Sequence, residues 1–308
     1  MCGIVGLFLK KSALEPELGA WFSEMLICMS SRGPDSAGFA IYGESAPAGK
    51  VKLVLHHSDL SFDWSSIAVA LEKEFQVRPI VEVNSSHARF LVKDDVWAIR
   101  EFLRRSFPEV RIMSAGRRIE IMKETGLPES VVERFSVRKI CGSHAIGHTR
   151  MATESAVTTE GSHPFSTGVD LCLVHNGSLS NHNRLRQKLS REGVEFYTEN
   201  DTEVAAGYFS WKLAQGATLK QALEAGLTDL DGFYTFTVGT EDGFAVLRDP
   251  IACKPAVLAE TADYVAMASE YRSLANLPGI ETAHLWEPEP AVIYNWSRNW
   301  RAPAGLAI

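Results

Sequence analysis

Residues 3–9 (Gly-Ile-Val-Gly-Leu-Phe-Leu) are apolar without interruption, the pattern of a strand buried on both faces. Leu18, Trp21, Phe22, Met25, Leu26 and Met29 then recur at intervals of three and four, predicting an amphipathic helix over roughly 15–30. A breaker-rich turn, Ser30-Ser31-Arg32-Gly33-Pro34-Asp35, ends it. Residues 39–42 and 51–55 read as the two arms of a hairpin about Ala46-Pro47-Ala48-Gly49. The pattern changes between 56 and 136. Val81 and Val83, then Phe90, Leu91 and Val92, suggest two short strands, and Val96, Ile99, Phe102 and Leu103 a helix. Residues 111–113 read as a strand, and Pro128 opens a helix. From 140 onward strand patterns return at 145–147, 171–174, 233–238, 244–247, 256–258 and 264–268. Helices are expected at 181–191, 202–214 and 219–226, beginning after Asn181, Asp201 and Thr218 as N-caps. Strands alternating with helical pairs describe an α+β chain of layered sheets covered by helices, with a small α+β insertion at 56–136.

The chain has 308 residues, 45% hydrophobic and 22% charged, an ordinary globular composition that needs no disulfide or metal staple. A formal charge of −7 argues against nucleic acid or an anionic membrane as partner. No apolar run approaches the ~20 residues of a membrane span, and the first residues do not read as a signal peptide. The five cysteines, Cys2, Cys28, Cys141, Cys172 and Cys253, form no C-x-x-C pair, which suits a reducing cytoplasm. The last four lie among apolar neighbours and are expected in the core. Arg100, Arg104, Arg105, Arg111, Arg117 and Arg118 make the insertion locally basic, either a solvated face or a docking surface.

Cys2 follows the initiator methionine. Once that methionine is removed, the residue carries a thiol and an α-amino group whose ordinary pKa of ~7.7–8.0 suits it to act as a base. The plainer reading is a small hydrophobe in second place. Four later stretches bear on the choice. Ser31-Arg32-Gly33-Pro34-Asp35 is a turn that can brace itself. Gly147-His148-Thr149-Arg150 ends a strand on a guanidinium fork that suits a carboxylate. His175-Asn176-Gly177 supplies an amide and a glycine N–H, either an oxyanion hole or an Asn-Gly turn. In Glu199-Asn200-Asp201-Thr202-Glu203, Asp201 can cap a helix and also meet an ammonium group.

In this order the motifs resemble the class II glutamine amidotransferases, the N-terminal-nucleophile family with a cysteine. The likeness covers most of 2–42 and 140–275, including Leu247-Arg248-Asp249-Pro250 and Ala268-Ser269-Glu270. It implies a four-layer αββα sandwich over 2–308, with 56–136 inserted, acting on L-glutamine. It also implies roles: Cys2 as nucleophile, Asn176 and Gly177 as oxyanion hole, Arg150 for the substrate carboxylate and Asp201 for its ammonium. Arg32 and His163 would shape the pocket, and Thr153 would sit on the binding loop. Met151 and Glu154 depart from residues that several relatives carry on that loop.

No phosphate loop or Rossmann fingerprint occurs, and no cofactor is expected in this chain. The resemblance points most closely to the stand-alone glutaminase-like subunit of glutamate synthase or N-methylglutamate synthase complexes, passing ammonia to partner synthase subunits. An independent amide hydrolase and a non-catalytic assembly subunit are the two other classes to weigh.

Overall fold

The structure is a computed structural model and describes residues 2–152 and 156–298. The chain opens with strand β1 (Gly3–Leu9), helix α1 (Leu18–Cys28) and strand β2 (Ser36–Tyr42). A small unit follows: β3 (Lys50–His56), α2 (Trp64–Phe75), β4 (Ile80–Asn84), β5 (His87–Lys93), α3 (Val96–Ser106) and β6 (Arg111–Gly116). Next come β7 (Ile119–Thr125), α4 (Pro128–Arg134), β8 (His144–Arg150) and β9 (Cys172–Leu179). Helices α5 (His182–Arg191), α6 (Asp201–Ala214) and α7 (Leu219–Asp229) precede β10 (Gly232–Thr240) and β11 (Gly243–Arg248). The described chain closes with β12 (Val257–Glu260), β13 (Tyr264–Ala268), β14 (His284–Trp286) and β15 (Ile293–Ser297).

Three sheets result, ordered β14-β12-β13-β1-β8-β2-β7, β15-β11-β10-β9 and β4-β5-β3-β6. The first two face each other. Strand β1 shows why: Val5, Leu7 and Leu9 pack toward α1, while Ile4 and Phe8 enter the core between the sheets. On the outer side of the second sheet, Leu173, Phe236 and Leu247 meet Val204, Phe209 and Leu223 of α6 and α7. The layers therefore run α1/α4, seven-stranded sheet, four-stranded sheet, α5–α7: the expected αββα sandwich.

Two expectations about the first third are corrected. Residues 39–42 and 51–55 are not a hairpin. β2 lies between β8 and β7, whereas β3 pairs with β5 and β6 in the small sheet. Each strand has its own core to fill: Phe39 and Ile41 pack with α1, while Val51, Leu53 and Leu55 pack with Trp64, Ile67 and Ile99 of the small unit. The separate sheet accordingly spans 50–116 rather than 56–136. β7 returns to the edge of the seven-stranded sheet, and Val131, Val132 and Phe135, in and just after α4, pack against α1.

Of the arginines in the basic stretch, Arg104 and Arg105 are exposed, while others serve as internal stitching. Arg100 donates to the carbonyls of Thr167 (2.8 Å) and Gly168 (3.0 Å), and Arg118 to that of Gly43 (2.8 Å). Arg111 donates to Pro108 O and lies 5.8 Å from the Tyr197 ring centroid. The cysteine expectation also fails in part. Only Cys172 is in the core, its thiol pushed up to about 12 by burial; Cys28 is half-buried, and Cys141 and Cys253 are exposed on loops. Apolar neighbours in sequence do not make a loop residue buried.

The exit of the small unit is pinned by Asp170. Its carboxylate accepts from the backbone N–H groups of Arg117 (2.6 Å), Arg118 (2.9 Å) and Ile119 (3.0 Å), tying the β6–β7 turn to the start of β9. Gly116 makes room: a Cβ there would stand 2.3 Å from Asp170 Oδ1. Each buried donor left unmet costs roughly 1–3 kcal/mol. Asp170→Ala is therefore expected to lower unfolding stability by at least about 2 kcal/mol, read as a shifted urea midpoint, while Asp170→Asn loses less. A midpoint unchanged in the alanine variant would count against this pin.

Candidate active site

The site grows from the start of β1. That end is pressed onto its neighbours: a Cβ on Gly3 would lie 2.9 Å from Met29 Cβ and from Thr149 Oγ1, so glycine is required for this approach. Cys2, half-buried, stands just before it. Its carbonyl accepts from Arg32 Nε (2.9 Å) and Asn176 Nδ2 (3.2 Å), and Sγ lies 3.8 Å from Met151 O. Ser269 brackets the same end: Ile4 N–H donates to its Oγ (2.9 Å), its own N–H donates to Ile4 O (2.9 Å), and Asn176 Nδ2 reaches its Oγ (3.1 Å). Arg32 also pairs with Glu270 at 2.5 Å; this contact and Arg272 hold the Glu270 carboxyl below the usual range.

Behind Asn176 lies a set of buried imidazoles. His148 Nε2 stands 3.2 Å from Asn176 Oδ1 and 3.1 Å from His175 O. Both are acceptors, so Nε2 carries the hydrogen. Burial drives this imidazole down to about 3, which keeps it neutral. His163 packs edge-on to His148, centroids 4.0 Å apart, and burial likewise holds its pKa well below the ordinary value. His163 Nε2 meets Thr202 Oγ1 at 2.8 Å, and His175 Nδ1 meets the same oxygen at 3.0 Å. A hydroxyl has one hydrogen, so at least one imidazole donates to Thr202.

Asp201 lies in the first turn of α6. The expected N-cap is corrected here: Asn200 caps the helix, its side chain accepting from Thr202 N–H at 2.9 Å. Asp201 is thereby released to accept Leu179 N–H at the end of β9 (2.9 Å) and to face His175 Nδ1 at 3.7 Å. Burial opposes its charge, but His175 and the Leu179 N–H outweigh that and draw the carboxyl down to about 2. Arg150, buried at the end of β8, donates from Nη1 to Ala156 O (3.2 Å), and its carbonyl accepts from Asp35 N–H (3.1 Å). Asp35 in turn accepts from Ala152 N–H at 2.8 Å. Gly177 has φ 145°, and a Cβ there would stand 1.9 Å from Phe233 O, so β9 needs glycine at that point.

Cys2, Arg32 and Asn176 thus touch directly. His163 and Asp201 join through Thr202 and the imidazoles, and Arg150 borders the strand end that carries Met151. Thr153 lies outside the described residues, as does Glu154. Sequence reasoning assigned no role to His148, His175, Thr202, Ser269 or Glu270. All five stand inside the motifs it quoted, and only the tertiary contacts give them work.

A cavity of about 610 Å³ lies elsewhere, between the small unit and α6, walled by Trp97, Phe165, Tyr197 and Trp211 with Lys123 among its lining residues. None of the described residues predicted for the site lines it. Among the described residues no group of three or more His, Cys, Asp or Glu is placed to hold a metal ion, and no helix is long and apolar enough to cross a membrane.

A cysteine at the head of a central strand in an αββα sandwich, with an asparagine amide from the facing sheet upon it, defines the N-terminal-nucleophile hydrolase class. The family described as glutamine amidotransferase domain matches residues 148–276. The chain is 60% identical over 300 residues to the glutamine amidotransferase-like protein GlxB of Rhizobium meliloti (strain 1021), covering 96% of this chain and 98% of the relative. It is 32% identical over 303 residues to a putative glutamine amidotransferase of Methanothermobacter thermautotrophicus, covering 95% and 98%. Among solved structures, the glutamine phosphoribosylpyrophosphate amidotransferase of B. subtilis shares the fold at TM-score 0.60 and 21% identity, over 97% of this chain and 50% of that one. The chain belongs to the class II glutamine amidotransferase family, enzymes with an N-terminal cysteine nucleophile.

The Asp201 environment makes a testable statement about acid. A carboxyl lowered from 3.8 to about 2 on folding contributes stability that is present above the unfolded value and lost as pH falls through the folded one. The difference is on the order of 2 kcal/mol. Asp201→Asn is expected to be less stable than the parent at pH 6, with the gap closing between pH ~4 and ~2. Urea unfolding across that window reads it, and a gap independent of pH would refute the ionised pairing.

Proposed function

We propose that this chain hydrolyses L-glutamine to glutamate and ammonia through a thioester on Cys2 and delivers the ammonia to a partner synthase subunit. The observation that carries this reading is the convergence of Asn176, Arg32 and Ser269 on the first residues of β1. They hold the head of the strand still, with a half-buried thiol beside a two-hydrogen amide donor.

Removal of Met1 would free the Cys2 α-amino group to take the thiol proton, directly or through one water. The thiolate attacks the side-chain amide carbon, and the oxyanion is held by the Gly177 N–H and by Asn176 Nδ2, which turns to it one of the two hydrogens it otherwise gives to Cys2 O and Ser269 Oγ. The α-ammonium group gives its proton to the amide nitrogen, and collapse of the intermediate expels it as ammonia and leaves the thioester. Water then cleaves the thioester, releasing glutamate and the thiol. Arg150 reads the substrate carboxylate and Asp201, ionised well below neutral pH, its ammonium. Arg32 fixes the Cys2 carbonyl and His163 supports Thr202 beside Asp201; the family resemblance adds Thr153 to the substrate-binding residues. The chemistry calls on no cofactor.

Cys2→Ala is expected to abolish ammonia release from glutamine without loss of fold, and Arg150→Lys to raise the glutamine KM about ten- to a hundredfold, the cost of roughly 1.5–3 kcal/mol for a lost charge-assisted fork. Retained turnover in Cys2→Ala, or an unmoved KM in Arg150→Lys, would overturn the assignment. Intact mass should show Met1 absent.

The partner reading rests on the sequence. It carries the glutaminase motifs without a phosphate loop or dinucleotide fingerprint, and it has the extra α+β unit of stand-alone glutaminase-like subunits. Glutamate synthase or N-methylglutamate synthase is the type of complex it favours, in the cytoplasm. Affinity purification from the native extract followed by mass spectrometry should recover synthase polypeptides in fixed ratio. A chain that purifies alone and turns over glutamine at full rate is instead a free-standing glutaminase.

A further inference from the structure

On β7, Ile119 and Ile121 point into the core between the sheets, and Lys123 stands two residues further along the same face. A lysine there is costly, because a buried ammonium loses several kcal/mol of hydration unless it is well partnered. Its partners are main-chain oxygens. Nζ donates to the carbonyls of Glu160 (3.0 Å), Ser162 (2.7 Å) and Pro164 (3.2 Å) and lies 4.4 Å from the centroid of the Phe165 ring. Three hydrogens meet three acceptors, so the capacity of the ammonium is filled by one short segment. Burial draws the amine down to about 7, against the pull of the nearby Glu203 and Glu160 carboxylates, which favour the charged form; that form alone has three hydrogens to give.

The other side of that segment faces the site. His163, between the second and third of those carbonyls, holds Thr202 and packs on His148, which holds Asn176. Asn200, the cap of α6, donates to Gly161 O at 3.4 Å. Glu124, the next residue of β7, accepts from Thr159 and from Ser86 (3.0 Å) and pairs with Arg134 at 3.1 Å. Gly38 of β2 lets the segment settle: a Cβ there would stand 2.1 Å from His163 O.

The geometry points to Lys123 as a positioning residue of the glutaminase site: by gripping the carbonyls of 160, 162 and 164 it seats His163 against Thr202 and thereby sets the first turn of α6, with Asp201, toward the substrate. This rests on the glutaminase reading above for its kinetic consequence, though not for the clamp itself. Packing alone does not explain the residue, since a methionine fills the same volume without the desolvation cost.

The test compares the full-length parent with Lys123→Met, which keeps the volume and removes the donors, and Lys123→Gln, which keeps an amide donor. In Lys123→Met the glutamine KM is expected to rise about tenfold or more, equivalent to ~1.4 kcal/mol, with kcat within about threefold. Alkylation of Cys2 by iodoacetamide should be unchanged, read by peptide mass because Cys141 and Cys253 are also exposed. Lys123→Gln should fall between, and it carries the test if the methionine variant does not fold. Amide hydrogen exchange over 159–165 should quicken in both variants. An unmoved KM together with unmoved exchange overturns the clamp. Equal losses of kcat, Cys2 labelling and thermal stability overturn it in favour of a general structural role. If the parent itself does not hydrolyse glutamine while exchange still quickens, the function is wrong and the clamp stands.

Discussion

The position of β1 is the constraint from which the site follows. The strand is hydrogen-bonded on both edges, with Gly3 opposite Thr149 of β8 and Val5 opposite Ala268 of β13, and it is buried on both faces. A slip of one residue would exchange Ile4 and Phe8 with Val5 and Leu7, placing each set in the wrong core. The apolar pattern therefore fixes where the strand begins, and so where Cys2 stands. The flanking strands end at the same level: β8 delivers His148 and Arg150, β13 leads into Ser269 and Glu270. The facing sheet contributes Asn176, whose amide closes onto the Cys2 carbonyl. Hydrophobic burial thus determines the placement of a polar site that it does not itself contain.

Electrostatics divides that site in two. Behind Asn176, burial suppresses protonation of His148 and His163. Charge is kept to the edges of the site: Arg32 with Glu270 on one side, Arg150 and Asp201 on others. As neutral rings, His148 and His163 orient Asn176 and Thr202 through hydrogen bonds. Asn200 takes over the capping duty, and Asp201 keeps its charge against burial because His175 and the Leu179 N–H favour the ionised form.

Much of this was legible in the sequence, and what was not has identifiable causes. β1 and α5–α7 follow from apolar runs and periodicity, since those signals are local; of the three expected N-caps, Thr218 caps α7 with its side chain, whereas Asn181 makes no such bond to α5. The hairpin expected at 39–42 and 51–55 fails because two adjacent apolar arms look alike whether they share a core or fill two. Asn200 and Asp201 are both good cap types, and the choice between them is made by Leu179, distant in sequence. Cys2, Arg32, Asn176 and Asp201 are named as candidates through motifs, which carry residue type and order. Ser269, Thr202 and His148 sit in those motifs too, but their roles are contacts across sheets. Lys123 had a faint signal, a charge at the third place of an alternation begun by Ile119 and Ile121, whose meaning depends on carbonyls forty residues away.

The placement of the small unit adds a consequence for control of the site. The unit is strung between β2 and β7, and β7 is the strand by which the chain returns to the sandwich. At its start the N–H groups of 117–119 are held by Asp170, two residues before β9 and its Asn176. At its end Lys123 and Glu124 hold 159–164 and, through Ser86, a turn of the unit itself. Motion of the unit therefore loads both elements that carry the site, β9 and the His163 segment. Such a path transmits only what a binding partner invests in distinguishing two arrangements. In the arrangement described here Lys123 has a partner for every hydrogen and Asp170 holds three backbone donors. Any second arrangement must break those bonds or replace them, so a partner acting through the small unit has to supply that difference from its own interface.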